Sequence, residues 1–140
     1  LGETFQHSPG YGHFNPNITE PLIGLASGTG ISPVWSIILS NIRTNPNQSA
    51  QLVYSTRNEA DAALLSDLKA EAEKGSLELF HHQTRNPEVK LSTRINPTDY
   101  IDQQATYLIC GSADFVRSMY QGLIEERIDQ HKIYTEVFFE

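Results

Sequence analysis

Pro21-Leu22-Ile23-Gly24-Leu25-Ala26-Ser27-Gly28-Thr29-Gly30-Ile31-Ser32-Pro33 is the stretch that decides the fold. Its first six residues form a continuous apolar run, the pattern of a strand buried on both faces of a sheet. The run ends in Ser27-Gly28-Thr29-Gly30, a turn. Ser32-Pro33 then reads as an N-cap followed by proline in the first helical turn. Val34, Ile37, Ile38 and Ile42 continue at helical spacing, and Trp35 and Leu39 widen the stripe. The unit is strand, glycine turn, helix.

The same alternation extends along the chain. Gln51 to Thr56 is strand-like. Asn58 is placed to cap a helix running to about Lys74, with Ala60, Leu64, Leu68 and Ala72 on one face and Gly75 ending it. Leu77 to His82 is a third strand, and Asn96-Pro97 opens a short helix near Asp99 to Asp102. Tyr107 to Gly111 is a fourth strand that runs into a second glycine turn. Ser112 caps a helix carrying Phe115, Met119 and Leu123, and Lys132 to Phe139 is a last strand rich in β-branched and aromatic residues. Strands alternating with helices imply an α/β fold: an open parallel sheet of about five strands with helices on both faces. Before Pro21, the chain reads as a short strand at Glu3 to Gln6 and then a loop rich in turn-forming residues.

Composition removes several classes of function. The 140 residues are 39% hydrophobic and 19% charged, the balance of one globular domain. Ten Lys and Arg against 17 Asp and Glu leave a net charge of -7, which argues against nucleic acid or an anionic membrane as partner. Cys110 is the only cysteine, so no internal disulfide forms and no thiolate zinc site is present. No apolar run approaches a membrane span and no signal-like start is seen, which together point to a reduced, cytoplasmic domain.

In such sheets ligands bind beyond the carboxyl ends of the strands, where the strand order switches. The turns after the first and fourth strands both qualify. Gly28 and Gly30 let the backbone approach a bulky anion, and the following helix offers unbonded N–H groups and a positive dipole end. Thr29 adds a hydroxyl donor. The spacing is neither G-x-G-x-x-G, since Pro33 stands at the third glycine's place, nor a P-loop, since no Lys follows. In dinucleotide-binding sheets an Arg beyond the second strand accommodates a 2′-phosphate and an acid there binds ribose hydroxyls; here Arg57 stands at that place, with Arg85 further on, and Glu59 follows two residues after Arg57, which leaves both open. His81 and His82 diverge on a strand and do not suit a shared metal, so with His7 and His13 they read as surface or loop residues. The acidic stretch from Glu59 to Glu78 reads as a solvated face, with Lys69 and Lys74 suitably placed toward its C-terminal end.

Three elements in order carry a resemblance: Gly28-Thr29-Gly30-Ile31-Ser32-Pro33 after a buried strand, Cys110-Gly111 ending a later one, and Glu136-Val137-Phe138 near the C-terminus. Together they resemble the pyridine-nucleotide-binding domain of the ferredoxin–NADP reductase family of flavoproteins. Thr93-Arg94-Ile95 is similar to the family's G-R-[IV] element, with Thr93 in place of glycine. Ser112 stands where proline usually follows Cys-Gly. Residues 1–20 resemble the end of the family's flavin barrel and a linker, which leaves 21–140 as the NAD(P)-binding domain.

The resemblance implies a role for each matching position. Gly28, Thr29 and Gly30 hold the nucleotide pyrophosphate, and Pro33 shapes the helix start. Ser55, Thr56 and Arg57 lie toward the adenosine. Cys110 and Gly111 flank the nicotinamide, Glu136 helps to place it, and Phe138 or its neighbour Phe139 covers the flavin. The implied activity is hydride transfer from NADPH or NADH to FAD on a separate barrel domain, with onward transfer to an acceptor protein or metal centre. A non-catalytic nucleotide-binding or regulatory domain of the same fold is the alternative. A flavodoxin-like domain holding its own FMN fits less well, because its phosphate loop wants a run of Ser and Thr.

Overall fold

The computed structural model describes residues 20–137, apart from 60, 61 and 89. The strand expected at Glu3 to Gln6 and the aromatic residues Phe138 and Phe139 lie outside these. Five strands form one sheet: β1 (Leu22–Ser27), β2 (Ala50–Thr56), β3 (Glu78–Gln83), β4 (Thr106–Gly111) and β5 (Ile133–Val137). Their order is β3-β2-β1-β4-β5 and every pairing is parallel. Three helices connect them: α1 (Ile31–Thr44), α2 (Leu65–Glu73) and α3 (Ala113–Glu125). The expected doubly covered parallel sheet is the fold observed.

Alternation along the strands divides the core into two layers. Leu22, Ala26, Leu52, Tyr54, Leu108 and Cys110 face α1 and Leu68 of α2. Ile23, Leu25, Val53, Tyr107 and Ile109 face Val116, Met119 and Leu123 of α3. Central strands β1 and β4 are almost wholly buried, which is why they read as continuous apolar runs. Strand β3 lies at one edge and is more polar.

Gly24 sits under α1. A Cβ there would lie 2.6 Å from Val34 Cγ1 and 2.8 Å from Ile38 Cδ1, so the absent side chain sets how closely α1 approaches β1. Overpacking of this kind costs about 1–3 kcal/mol. Gly24→Val is therefore expected to lower the thermal midpoint by roughly 4–12 °C, a change that calorimetry can read.

Several local expectations shift. Helix α1 begins at Ile31, with Gly30 as its cap, because the 3₁₀ turn Gly28–Gly30 runs straight into it. Ser32 is therefore inside the helix, not its cap. Pro33 still falls in the first turn, where a missing N–H leaves no intrahelical bond unmade.

Asn58 does not open α2. Tyr54 Oη accepts from the Ala63 N–H at 3.1 Å, holding the chain over the end of β2, and Leu64 then takes a left-handed φ of 65°. The helix starts only at Leu65, and its buried side is Leu65, Leu68 and Glu71, leaving Leu64 exposed. Glu71 is thus not part of a solvated face. Its carboxylate accepts from Ser76 Oγ at 2.6 Å and from Lys74 Nζ at 3.3 Å, and the Ser76 bond leads in holding its pKa below the ordinary value. Gly75, with φ 84°, ends the helix as expected. The short helix after Asn96 is a 3₁₀ turn at Pro97–Tyr100, where the Asn96 side chain accepts from the Thr98 N–H. Ser112 does cap α3, accepting from the Phe115 N–H.

Candidate functional site

A cleft of about 820 Å³ opens at the carboxyl ends of β1 and β2 and along the first turns of α3. The strand order reverses between β1 and β4, so this is the switch point where open α/β sheets hold ligands. Ser27, Gly28 and Thr29 form one wall, and Ser55, Thr56 and Arg57 form the next. Thr84, Arg85, Arg94 and Ile95, from the segment after β3, close the side. Ser112, Asp114, Phe115, Ser118 and Met119 of the α3 region complete it.

The two glycines of the first turn act differently. Gly28 has φ 56°, the left-handed region that an L side chain rarely enters. Gly30 has an ordinary helical φ of -66° and does not line the cleft. A Cβ on it would collide with the Cys110 carbonyl and lie 2.9 Å from Gly111 N. Gly30 therefore lets the turn after β1 nest against the end of β4. No side chain caps α1, whose Ile31 N–H donates to the Gly28 carbonyl through the 3₁₀ turn.

Three of the chain's ten basic residues, Arg57, Arg85 and Arg94, line this cleft on a protein of net charge -7. Backbone bonds past the strand ends hold two of them together: the Thr84 N–H donates to Thr56 O at 2.9 Å and the Arg85 N–H to Arg57 O at 2.8 Å. Nearby carboxylates are engaged elsewhere. Asp114 pairs with Arg117 at 3.4 Å and Glu59 with Lys69 at 3.5 Å. Among the described residues, Arg85 and Arg94 have no carboxylate partner.

Below the cleft, strand register lines up His81, Tyr54, Ala26, Cys110 and Glu136 in one row facing α1 and α2. Cys110 is fully buried and lies directly beside Glu136, which is half-buried on β5. Neither lines the cleft, and neither does Pro33. Gly111 is buried against the Phe115 ring and Ser27. Phe138 lies outside the described residues.

His81 and His82 point to opposite faces as expected, yet neither is an idle surface residue. His81 stacks on Tyr54 with centroids 5.4 Å apart, and its Nε2 lies 2.8 Å from Thr56 Oγ1. Thr56 Oγ1 donates to Asn58 O, so it accepts from His81 and Nε2 carries the hydrogen. Burial, then the charge of Lys69, lowers the His81 pKa below its ordinary 6.5. The unfolded chain thus takes up this proton more readily than the folded one. The stability contributed by neutral His81 is complete above about pH 6.5 and is lost as pH falls through the lowered folded value. Between pH 7.5 and pH 5, wild type is expected to lose more thermal stability than His81→Gln, which keeps a donor near Thr56. Melting curves across that range check it.

Sequence reasoning missed Thr84 and the α3 residues as cleft walls. It had noted Arg85 only for nucleotide preference and Arg94 only within a motif. The signal for both was their basic character beside neutral loop residues in an acidic chain. Among the described residues, no group of three or more His, Cys, Asp or Glu could hold a metal ion, and no helix is long and apolar enough to cross a membrane.

Known proteins share this fold. A flavohemoprotein of Rhodopirellula baltica is 22% identical across 98% of this chain and 37% of its own length. The chain spans about a third of the curated relatives that it matches first. A flavohemoglobin from Malassezia yamatoensis, solved with bound FAD and heme, superposes with a TM-score of 0.77 at 24% identity, covering 99% of this chain and 34% of that one. A ferredoxin NADP+ reductase from Neisseria gonorrhoeae, solved with bound FAD and NADP, gives 0.73 at 20% identity, covering 86% and 56%. At these identities the structures establish the fold, and it is the one that the three sequence elements implied. Residues 25–121, more than half of the chain, match the oxidoreductase NAD-binding domain family. The chain belongs to that family.

Proposed function

We propose that the chain binds NADPH in preference to NADH and presents its nicotinamide to FAD held by a separate barrel domain. The observation that carries the preference is the pair Arg85 and Arg94, two guanidinium groups in the cleft of an acidic protein that have no carboxylate partner among the described residues. A dinucleotide pyrophosphate is accommodated by the α1 end with Gly28 and Thr29, where amides and the helix dipole meet negative charge. Arginines further along call for an additional anion, and the 2′-phosphate is the one that separates NADPH from NADH. Pro33 fixes the helix start. Ser55, Thr56 and Arg57 receive the adenosine side.

Reduced nicotinamide, when bound, supplies a hydride to the flavin. The chain's own residues orient and enclose, since hydride transfer needs two flat rings in near contact with water kept out. Gly111 at the end of β4 marks the nicotinamide end, buried Cys110 and its neighbour Glu136 support that end from beneath the cleft, and Phe138 covers the flavin until the nicotinamide takes its place. The register that sets Cys110 against Glu136 supports this assignment. The partners in this reading are the FAD-binding domain and, beyond it, an acceptor protein or metal centre, in the cytoplasm. Calorimetric titration of the chain with NADPH and with NADH tests the reading. Heat that saturates with NADPH well before NADH supports it, and no heat with either at millimolar concentration overturns it.

A further inference from the structure

His82 is buried, 2% exposed, on the α3 face of β3 beside Ser55 of β2. Both ring nitrogens are engaged. Nδ1 lies 2.9 Å from Thr93 O and Nε2 lies 2.9 Å from Tyr100 Oη. A carbonyl only accepts, so Nδ1 carries the hydrogen, and in the neutral ring Nε2 accepts from the Tyr100 hydroxyl. The Tyr100 carbonyl in turn accepts from Tyr107 Oη at 2.7 Å, and Tyr107 Oη accepts from the Asp102 N–H at 2.9 Å. The Tyr100 ring also packs on Phe80, centroids 5.2 Å apart. One imidazole therefore joins the end of β3 to the turn before β4.

What it holds is the cleft wall. Arg94 directly follows Thr93, and Arg94 and Ile95 both line the cleft. The backbone from Ser92 to Ile95 belongs to no helix or strand. Leu91 on one side is bonded by the Gln83 N–H, and Asn96 on the other accepts from Thr98 and Asp99. Among the described residues, the only hydrogen bond reaching 92–95 is the one from His82 to the Thr93 carbonyl. Ile95, 6% exposed, anchors the segment by packing.

We infer that His82 is a positioning residue for Arg94: its Nδ1–H fixes the Thr93 carbonyl and so aims the guanidinium of Arg94 at the nucleotide phosphate. The inference rests on the nucleotide reading above and adds a second tier of residues to it. The two ring nitrogens have separate tasks. Nδ1 sets the cleft wall, while Nε2 and Tyr100 contribute to stability alone.

Two amides separate those tasks. His82→Asn puts an N–H donor near the Nδ1 position and abandons Tyr100; His82→Gln reaches Tyr100 and abandons Thr93. Titrated with NADPH, His82→Gln should bind about fivefold more weakly, the worth of one hydrogen bond. His82→Asn should stay within about twofold of wild type. Tyr100→Phe should lower the thermal midpoint and also leave affinity within about twofold. In an Arg94→Ala background, His82→Gln should have no further effect on affinity.

Equal loss from His82→Asn and His82→Gln would overturn the inference, as would an unchanged effect of His82→Gln without Arg94. If His82→Gln does not fold, His82→Asn and Tyr100→Phe still decide: weakened NADPH binding by either contradicts the division of tasks. Failure of wild type to bind NADPH removes the underlying reading itself. Wild-type binding that is indifferent to His82 removes this inference alone.

Discussion

Gly30→Ala is expected to cost the fold about 3 kcal/mol, the upper end for overpacking, and to abolish measurable nucleotide binding. The reason is the identity of the atoms that the new methyl group would meet. It would collide with the Cys110 carbonyl and sit 2.9 Å from Gly111 N, all main chain at the end of a central strand. A side chain can rotate away; a strand carbonyl in a parallel ladder cannot. Relief requires the turn after β1 to lift off β4, which moves Gly28 and Thr29 and the start of α1 together. Urea unfolding should show the loss of stability, and calorimetry the loss of binding. Gly28→Ala is the contrasting case. There the penalty is conformational, about 1–2 kcal/mol for a left-handed residue. Equal stability of Gly30→Ala and wild type would mean that the turn does not nest against β4 as described.

The second large effect is electrostatic. Arg85→Ala with Arg94→Ala should weaken NADPH binding about a hundredfold while changing NADH binding by less than about threefold. Each charge-assisted contact to a phosphate is worth about 1.5–3 kcal/mol, and one such contact already accounts for tenfold or more. Because neither arginine has an acidic partner among the described residues, removing them should leave folding stability nearly unchanged. Rising salt should narrow the difference between wild type and variant for NADPH, since the cleft is open to solvent. Equal losses for both nucleotides would assign the arginines to the shared pyrophosphate instead of the 2′-phosphate.

Much of this was legible in the sequence because the deciding signals are local. A run such as Leu22 to Ala26 reports burial on both faces, and a run that stops at Gly28 reports a turn that only glycine permits. Ser112 before α3 and Gly75 after α2 also act through their own backbone. The misreadings came where a distant group overrides local preference. Asn58 is a good cap, but the Tyr54 hydroxyl bonds Ala63 and holds off the helix until Leu65. Glu71 looks like a solvated acid until Ser76 folds back onto it.

The site shows the same division. Gly28, Thr29, Ser55, Thr56 and Arg57 could be placed from strand ends alone, since strand ends in such a sheet share one edge. Arg94 could not, because the irregular segment carrying it is fixed by His82, a contact between residues 11 apart. Gly30 could be expected at the turn, but its neighbour there, the carbonyl of Cys110, comes from the other end of the domain. Periodicity reports which face a residue occupies and is silent about which backbone lies across from it.

Calorimetric titration of the chain with NADPH and NADH under identical salt bears most directly on the account. Saturable NADPH binding at least tenfold tighter than NADH is the result that the cleft's arginines and uncapped helix end require. Equal affinities would contradict the 2′-phosphate assignment, and no binding of either nucleotide would contradict the site itself.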